Sequence, residues 1–215
     1  MPRITVEMIE AELRKPLPGV KAQIRMAPRP GSLKPPTPQS TPRKSGVLIL
    51  LFPSEKTGNL CLVLTRRTEN VADHKGQISL PGGAVDPEDH SIAHTALREA
   101  CEEVGVCSDA MRILGALTPI YIPPSDFCVQ PYVAYMAQSP HFFPQPEEVA
   151  EILEVPLSFL LDEKNVVVEE WVIDGEVKQV PFFNVFGHKV WGATAVVLSE
   201  FAAILENLVK EQNQN

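Results

Sequence analysis

Three acids in the middle of the chain, Glu99, Glu102 and Glu103, stand at i, i+3 and i+4. At about 3.6 residues per helical turn they share one face. Like charges so spaced destabilise a helix by a few tenths of a kcal/mol per pair, a cost that a divalent cation removes. Magnesium prefers oxygen ligands in octahedral geometry and commonly binds through a few carboxylates plus a substrate phosphate. Glu99 and Glu103, one turn apart, are the first candidates to hold such an ion, and Glu102 completes the cluster. Arg98 beside them is placed to orient a glutamate through a charge-assisted hydrogen bond. A bare ExxEE run is otherwise an ordinary solvated face, so the reading depends on what surrounds it.

The acids need a helix, and residues 92–104 supply one. Ile92, Ala96, Leu97, Ala100, Cys101 and Val104 form an apolar stripe apart from the acids. Ser91 is the expected N-cap, and Gly105 stands where a left-handed residue ends the helix. A Gly82-Gly83 turn precedes it. Upstream, the apolar runs 47–52 and 60–65, separated by turn residues 54–59, predict a β-hairpin, and residues 78–80 a third strand. Strands are expected at 112–117 and 129–136, with a proline-rich loop at 119–125 long enough to line a site. Pro144 to Pro146 open a turn before a strand at 154–156 and a short helix at 157–161. Residues 166–173 and 177–183 flank an Asp174-Gly175 hairpin turn. Residues 194–209 close the chain as an amphipathic helix with Ala195, Leu198, Phe201, Ala202, Leu205 and Leu208 on one face. Mixed strands bracketed by two helices predict an α/β (α+β) class, an α/β/α sandwich with a mixed β-sheet.

With the glycine turn included, the order Arg-Glu-x-x-Glu-Glu-x-Gly at 98–105 resembles the Nudix box. Strict spacing puts His90 where that pattern has its early Glu. The early acid is therefore Asp89 in a slightly longer loop, or it is missing. Leu64 to Thr68, then His74-Lys75-Gly76-Gln77, Pro81-Gly82-Gly83 and Asp86, resemble the signature of the coenzyme A pyrophosphatase branch of the Nudix hydrolases. Ala72 stands where that signature usually has a second Arg. The resemblance covers most of residues 45–209. It implies a Nudix-type sandwich and Mg²⁺ or Mn²⁺ held by Glu99, Glu103, Glu102 and the main-chain carbonyl of Gly82. It implies a general base from the box or a later loop, so that Glu102 competes with Glu148 and Glu151, and substrate contacts from Arg67, His74, Lys75 and Gln77. It also implies a homodimer, and hydrolysis of the diphosphate of coenzyme A or a derivative to 3′,5′-ADP and 4′-phosphopantetheine or its acyl form. The alternatives are another nucleoside diphosphate derivative, such as ADP-ribose or NADH, and a module that senses a nucleotide without cleaving it.

At 215 residues with 44% hydrophobic content, the chain suffices for one core plus an N-terminal extension. The expected division is 1–44, a short helix over 5–14 and an extended proline-rich arm over 16–43, and 45–215, the catalytic domain. A net charge of −8 argues against a nucleic-acid partner. No apolar run approaches the roughly 18 residues of a membrane span. An N-terminus without an apolar h-region and four cysteines without metal spacing, Cys61, Cys101, Cys107 and Cys128, are read as a cytoplasmic chain with free thiols.

Overall fold

The structure, a computed structural model, describes residues 4–28, 33, 36–37, 40–69, 75–173 and 175–214. Its centre is strand β1 (Arg43–Pro53), in which Leu48 to Phe52 are fully buried, as expected of a strand covered on both faces. β1 forms the predicted hairpin with β2 (Leu60–Arg67), Leu51 facing Leu62. On its other side it runs parallel to β7 (Phe127–Tyr135). β3 (Ile78–Ser79) and β8 (Val149–Pro156) pair with β2, and β5 (Arg112–Ala116) and β6 (Ile120–Ile122) with β7. The double glycine, expected as a turn, instead forms β4 (Gly82–Ala84), antiparallel to the start of β1. The result is an eight-stranded mixed sheet. A separate three-stranded sheet holds β9 (Val166–Ile173), β10 (Glu176–Val185) and β11 (His188–Val190), with the expected tip residue Asp174 outside the described residues.

Alternation along β1 and β2 divides the core. Leu48, Leu50, Phe52, Cys61 and Val63 pack with helix α3 (Ile92–Val104), while Ile49, Leu51, Leu62 and Leu64 pack with the C-terminal helix. The sandwich read from the sequence is therefore present. Two short helices, α2 (Val20–Gln23) and α4 (Leu157–Leu160), complete the helical set with α1 (Val6–Leu13) and α5 (Gly192–Gln214).

The N-terminal segment differs from the extended arm expected of it. Over residues 17–28 it folds into α2 and a 3-10 turn, burying Ala22, Met26 and Ala27, and α1 buries Val6, Ile9 and Leu13. Both helices pack on α5. That explains why α5 is buried almost all round from Ala195 to Leu205 instead of along one stripe. α5 is long and apolar enough to cross a membrane, but most of it lies inside the protein core. Glu200, fully buried on α5, joins these parts. It accepts hydrogen bonds from Gly19 N (2.9 Å), Gln23 Nε2 (2.9 Å), Thr118 N (3.1 Å) and Thr118 Oγ1 (2.7 Å).

Candidate active site

α3 begins as the sequence predicts, with Ser91 Oγ accepting from His94 N at 3.1 Å, and ends at Gly105 with φ 73°. Asp89 lies just before it. Its side chain is 1% exposed and takes Arg98 in a fork, Nε to Oδ1 and Nη2 to Oδ2, both at 3.1 Å. Thr95 Oγ1 (2.8 Å) and Asp86 N (2.9 Å) donate to Oδ2 as well, and His94 Nδ1 lies 2.9 Å from Oδ1. The Arg98 fork, followed by these neighbours, holds the Asp89 carboxyl well below the usual carboxylate range and raises the guanidinium in return. Arg98 also donates to Ala84 O (3.2 Å) and lies 2.9 Å from both Glu99 Oε1 and Glu102 Oε2. It thus sits between the Asp89 carboxylate on one side and the Glu99 and Glu102 carboxylates on the other.

The three acids do not share one environment. Glu102, with its side chain 59% exposed, reaches out to Arg98, whereas Glu103 is 4% exposed and Glu99 lies between those extremes. The common face predicted for the three is thus divided, because the sheet covers only the Glu99–Glu103 edge. Burial, followed by the Glu99 charge, pushes the Glu103 carboxyl up to about 8, with Arg67 and the Gly82 main chain pulling it down. Burial also raises Glu99, against the pull of Arg98. Glu103 Oε2 is buried without a hydrogen-bond partner. Glycine is required at Gly82, with φ 155°, whereas at Gly83 an added side chain would displace the Glu99 carboxyl. A Cβ on Gly83 would lie 2.4 Å from Glu99 Oε1, and one on Gly82 would lie 2.5 Å from Gly46 O.

Glu148 joins the pair, its charge raising both Glu99 and Glu103. Glu151 does not. Set opposite Arg66 in the β2–β8 register, it accepts from Arg66 Nε at 2.9 Å and lies 3.5 Å from His188 Nε2 on β11, so it looks toward the second sheet. A register shift between Arg66 and Arg67 accompanies the change. Of the expected substrate contacts, Arg67 stands at the end of β2 with its Nε buried and unpartnered, and its main-chain N donates to Gln77 O at 2.9 Å. Gln77 is half-buried and Lys75 exposed. His74 and Ala72 lie outside the described residues.

The expectation of four free cysteines is corrected. Cys101 and Cys107 form a disulfide, while Cys61 and Cys128 are free. The left-handed Gly105 reverses the chain at the helix end and returns Cys107 to Cys101, a pairing that spacing alone does not display.

A buried, unpartnered carboxylate oxygen among mutually repelling acids is suited to a divalent cation, which would remove both costs. No cluster of three His, Cys, Asp or Glu side chains in metal-binding arrangement occurs among the described residues; Glu102 and Glu99 both meet Arg98 Nη1, at 2.9 Å each. Glu99 and Glu103 are the side chains that fit such an ion.

Known proteins resemble this chain in sequence and in fold. A family model described as NUDIX domain matches residues 42–174. The chain is 34% identical over 168 residues to an uncharacterized Nudix hydrolase, NudL, of Photorhabdus laumondii, the match covering 78% of this chain and 89% of that one. It is 39% identical over 145 residues to the NudL of Pectobacterium atrosepticum, over 66% and 73% of the two chains. Among solved structures, the Nudix hydrolase RenU of M. smegmatis superposes with a TM-score of 0.54 at 16% identity, covering 77% of this chain and 86% of that one. The NUDIX domain of Shewanella oneidensis NrtR, solved with ADP ribose, does so with a TM-score of 0.53 at 16% identity over 80% and 94%. At such identities the likeness is one of fold.

Proposed function

We propose that this chain, which belongs to the Nudix family and is a pyrophosphohydrolase, takes as its substrate the diphosphate of coenzyme A or one of its derivatives. Hydrolysis gives 3′,5′-ADP and 4′-phosphopantetheine, or its acyl form from a thioester. The observation that carries the reading is the arrangement of Arg67 and its neighbours. The segment from Leu64 to Gly83 resembles the coenzyme A signature, and the fold sets its Arg67 beside Glu103 with a buried donor unpartnered. Gln77 meets the same strand end through its carbonyl, and Lys75 stands exposed two residues before it.

Glu99 and Glu103, with the Gly82 main chain, would hold Mg²⁺ or Mn²⁺; such an ion neutralises charge on the diphosphate and lowers the pKa of water. Arg98 keeps Glu99 in place through the Asp89 fork. Arg67 offers its guanidinium to a diphosphate oxygen, a pairing for which the planar donor fork is suited. Glu148, facing the acidic pair, takes the proton of the attacking water. Glu151, engaged by Arg66, is not assigned to this step.

The test is chromatographic analysis of products after incubation with coenzyme A, NADH and ADP-ribose, each with Mg²⁺, with Mn²⁺ and with chelator. Metal-dependent 3′,5′-ADP from coenzyme A, with little product from the others, is expected. Cleavage of ADP-ribose or NADH in its place would remove the substrate assignment while leaving the acidic site intact.

A further inference from the structure

Thr68 follows Arg67 at the end of β2, where the signature that the segment resembles has a serine. Its neighbourhood gives it a different task from contacting substrate. Thr68 is 8% exposed, and both of its donors are spent on one loop. Its Oγ1 donates to Glu147 O at 2.7 Å and its main-chain N donates to Glu148 O at 2.9 Å. One residue thus holds two successive peptide carbonyls.

The same loop is anchored from the opposite side. Gln145 N donates to Glu103 O at 2.9 Å, and Gln145 O accepts from Glu148 N at 3.1 Å and Val149 N at 2.8 Å. Phe143 N donates to Val104 O at 2.9 Å. The Glu148 peptide is therefore fixed between the end of β2 and the last turn of α3, the two elements that carry Arg67 and Glu103. Resting on the assignment of Glu148 as the acid that meets the attacking water, we propose that Thr68 is a positioning residue for Glu148. Its hydroxyl sets the peptide on which that carboxylate stands and does not touch the substrate.

The physical argument is local. Valine is nearly isosteric with threonine but has no O–H, so Thr68→Val removes the protein donor to Glu147 O from a partly buried hydrogen bond. Released from that tether, the loop is free to shift, and a displacement of about 1 Å at a catalytic group can cost about 100-fold in rate. Serine keeps the donor and restores the bond.

The experiment is a double-mutant cycle of Thr68→Val and Glu148→Gln, with Thr68→Ser as the rescue. kcat and KM are measured on whichever diphosphate the chain cleaves in the panel above. Expected are a fall in kcat of about 10- to 100-fold for Thr68→Val with KM unchanged, near-normal turnover for Thr68→Ser, and little further loss when Thr68→Val is added to Glu148→Gln. Non-additivity of this kind marks two residues acting through one group. A raised KM with unchanged kcat, or losses that add in full, would overturn the inference and return Thr68 to the substrate. If Glu148→Gln itself kept full kcat, the assignment of Glu148 would fail and take the inference with it. If Glu148→Gln is slow but Thr68→Val is not, the inference alone fails. Should Thr68→Val not fold, Thr68→Ala takes its place in the cycle, read in the same way.

Discussion

The raised Glu103 carboxyl makes the chain's stability depend on pH in a direction opposite to that of most surface acids. Its folded-state value is about 8 against an ordinary 4.5, chiefly because the group is buried. A carboxyl raised on folding contributes stability fully below its unfolded value, and that contribution is lost as pH rises through the folded one. Proton linkage over this window gives a loss of about 3 to 4 kcal/mol between pH 5 and pH 8, at about 1.36 kcal/mol per pKa unit. In a domain of this size each kcal/mol moves the midpoint by roughly 2–4 °C, so the melting temperature in chelator should fall by about 10 °C. Glu103→Gln keeps the shape without the titration. It should show a flatter profile and melt above the parent at pH 8. The assay is thermal unfolding by circular dichroism from pH 5 to 8, parent and variant side by side in chelator. Adding Mn²⁺ at pH 8 should stabilise the parent by about 2.7 kcal/mol at a hundredfold excess over Kd and so raise its midpoint, and raise the variant's less. Profiles that run parallel for parent and variant would refute the reasoning, because no Glu103 contribution would then separate them.

Asp89→Asn removes the anion that Arg98 forks upon, and breaking so buried a pair should cost about 3 kcal/mol in urea unfolding at pH 7. Asp89 is held low in the fold, so its contribution is present above the unfolded value and is lost as pH falls toward the folded one; parent and variant should converge in acid. Gly83→Ala places a methyl 2.4 Å from Glu99 Oε1; Mn²⁺ binding by calorimetry should weaken by about 10- to 100-fold while the fold is retained. Glu200→Gln leaves at least one of the donors from Gly19, Gln23 and Thr118 without its acceptor. A loss of about 2 kcal/mol is expected, with faster amide exchange over residues 19–23. Thiol titration of the denatured, unreduced chain should find two thiols, those of Cys61 and Cys128.

Local signals were legible in the sequence. The hairpin from β1 to β2 follows from two apolar runs around a turn, and α3 from its stripe, its serine cap and its glycine stop. The double-glycine segment was visible as special, but its pairing with β1 depends on a partner some 35 residues away, so a strand looked like a turn. The outer face of α5 looked half solvated because nothing local shows that residues 4–28 cover it. The phase of the acids around α3 was readable from spacing, but which edge the sheet buries was not. Glu102 was therefore counted into one cluster with Glu99 and Glu103. Glu148 and Glu151 are three residues apart and looked interchangeable as bases. The register shift opposite Arg67 and the ion pair with Arg66 distinguish them, and both belong to strand pairing.

The same contrast explains how the site holds together. Glu99, Glu103 and Glu148 repel one another, and burial penalises the first two further. The cluster persists because it is anchored partly by the Arg98 ion pair and partly through the acids' main chain. Asp89 fixes Arg98, which fixes Glu99. Gln145 holds the Glu103 main chain, and Thr68 holds the carbonyls of Glu147 and Glu148. One carboxylate oxygen is left free of those restraints, Glu103 Oε2. A site stabilised for its own sake would neutralise that oxygen with a donor. Keeping it bare, at a cost in stability that rises with pH, makes sense when what completes it arrives from solution with the substrate.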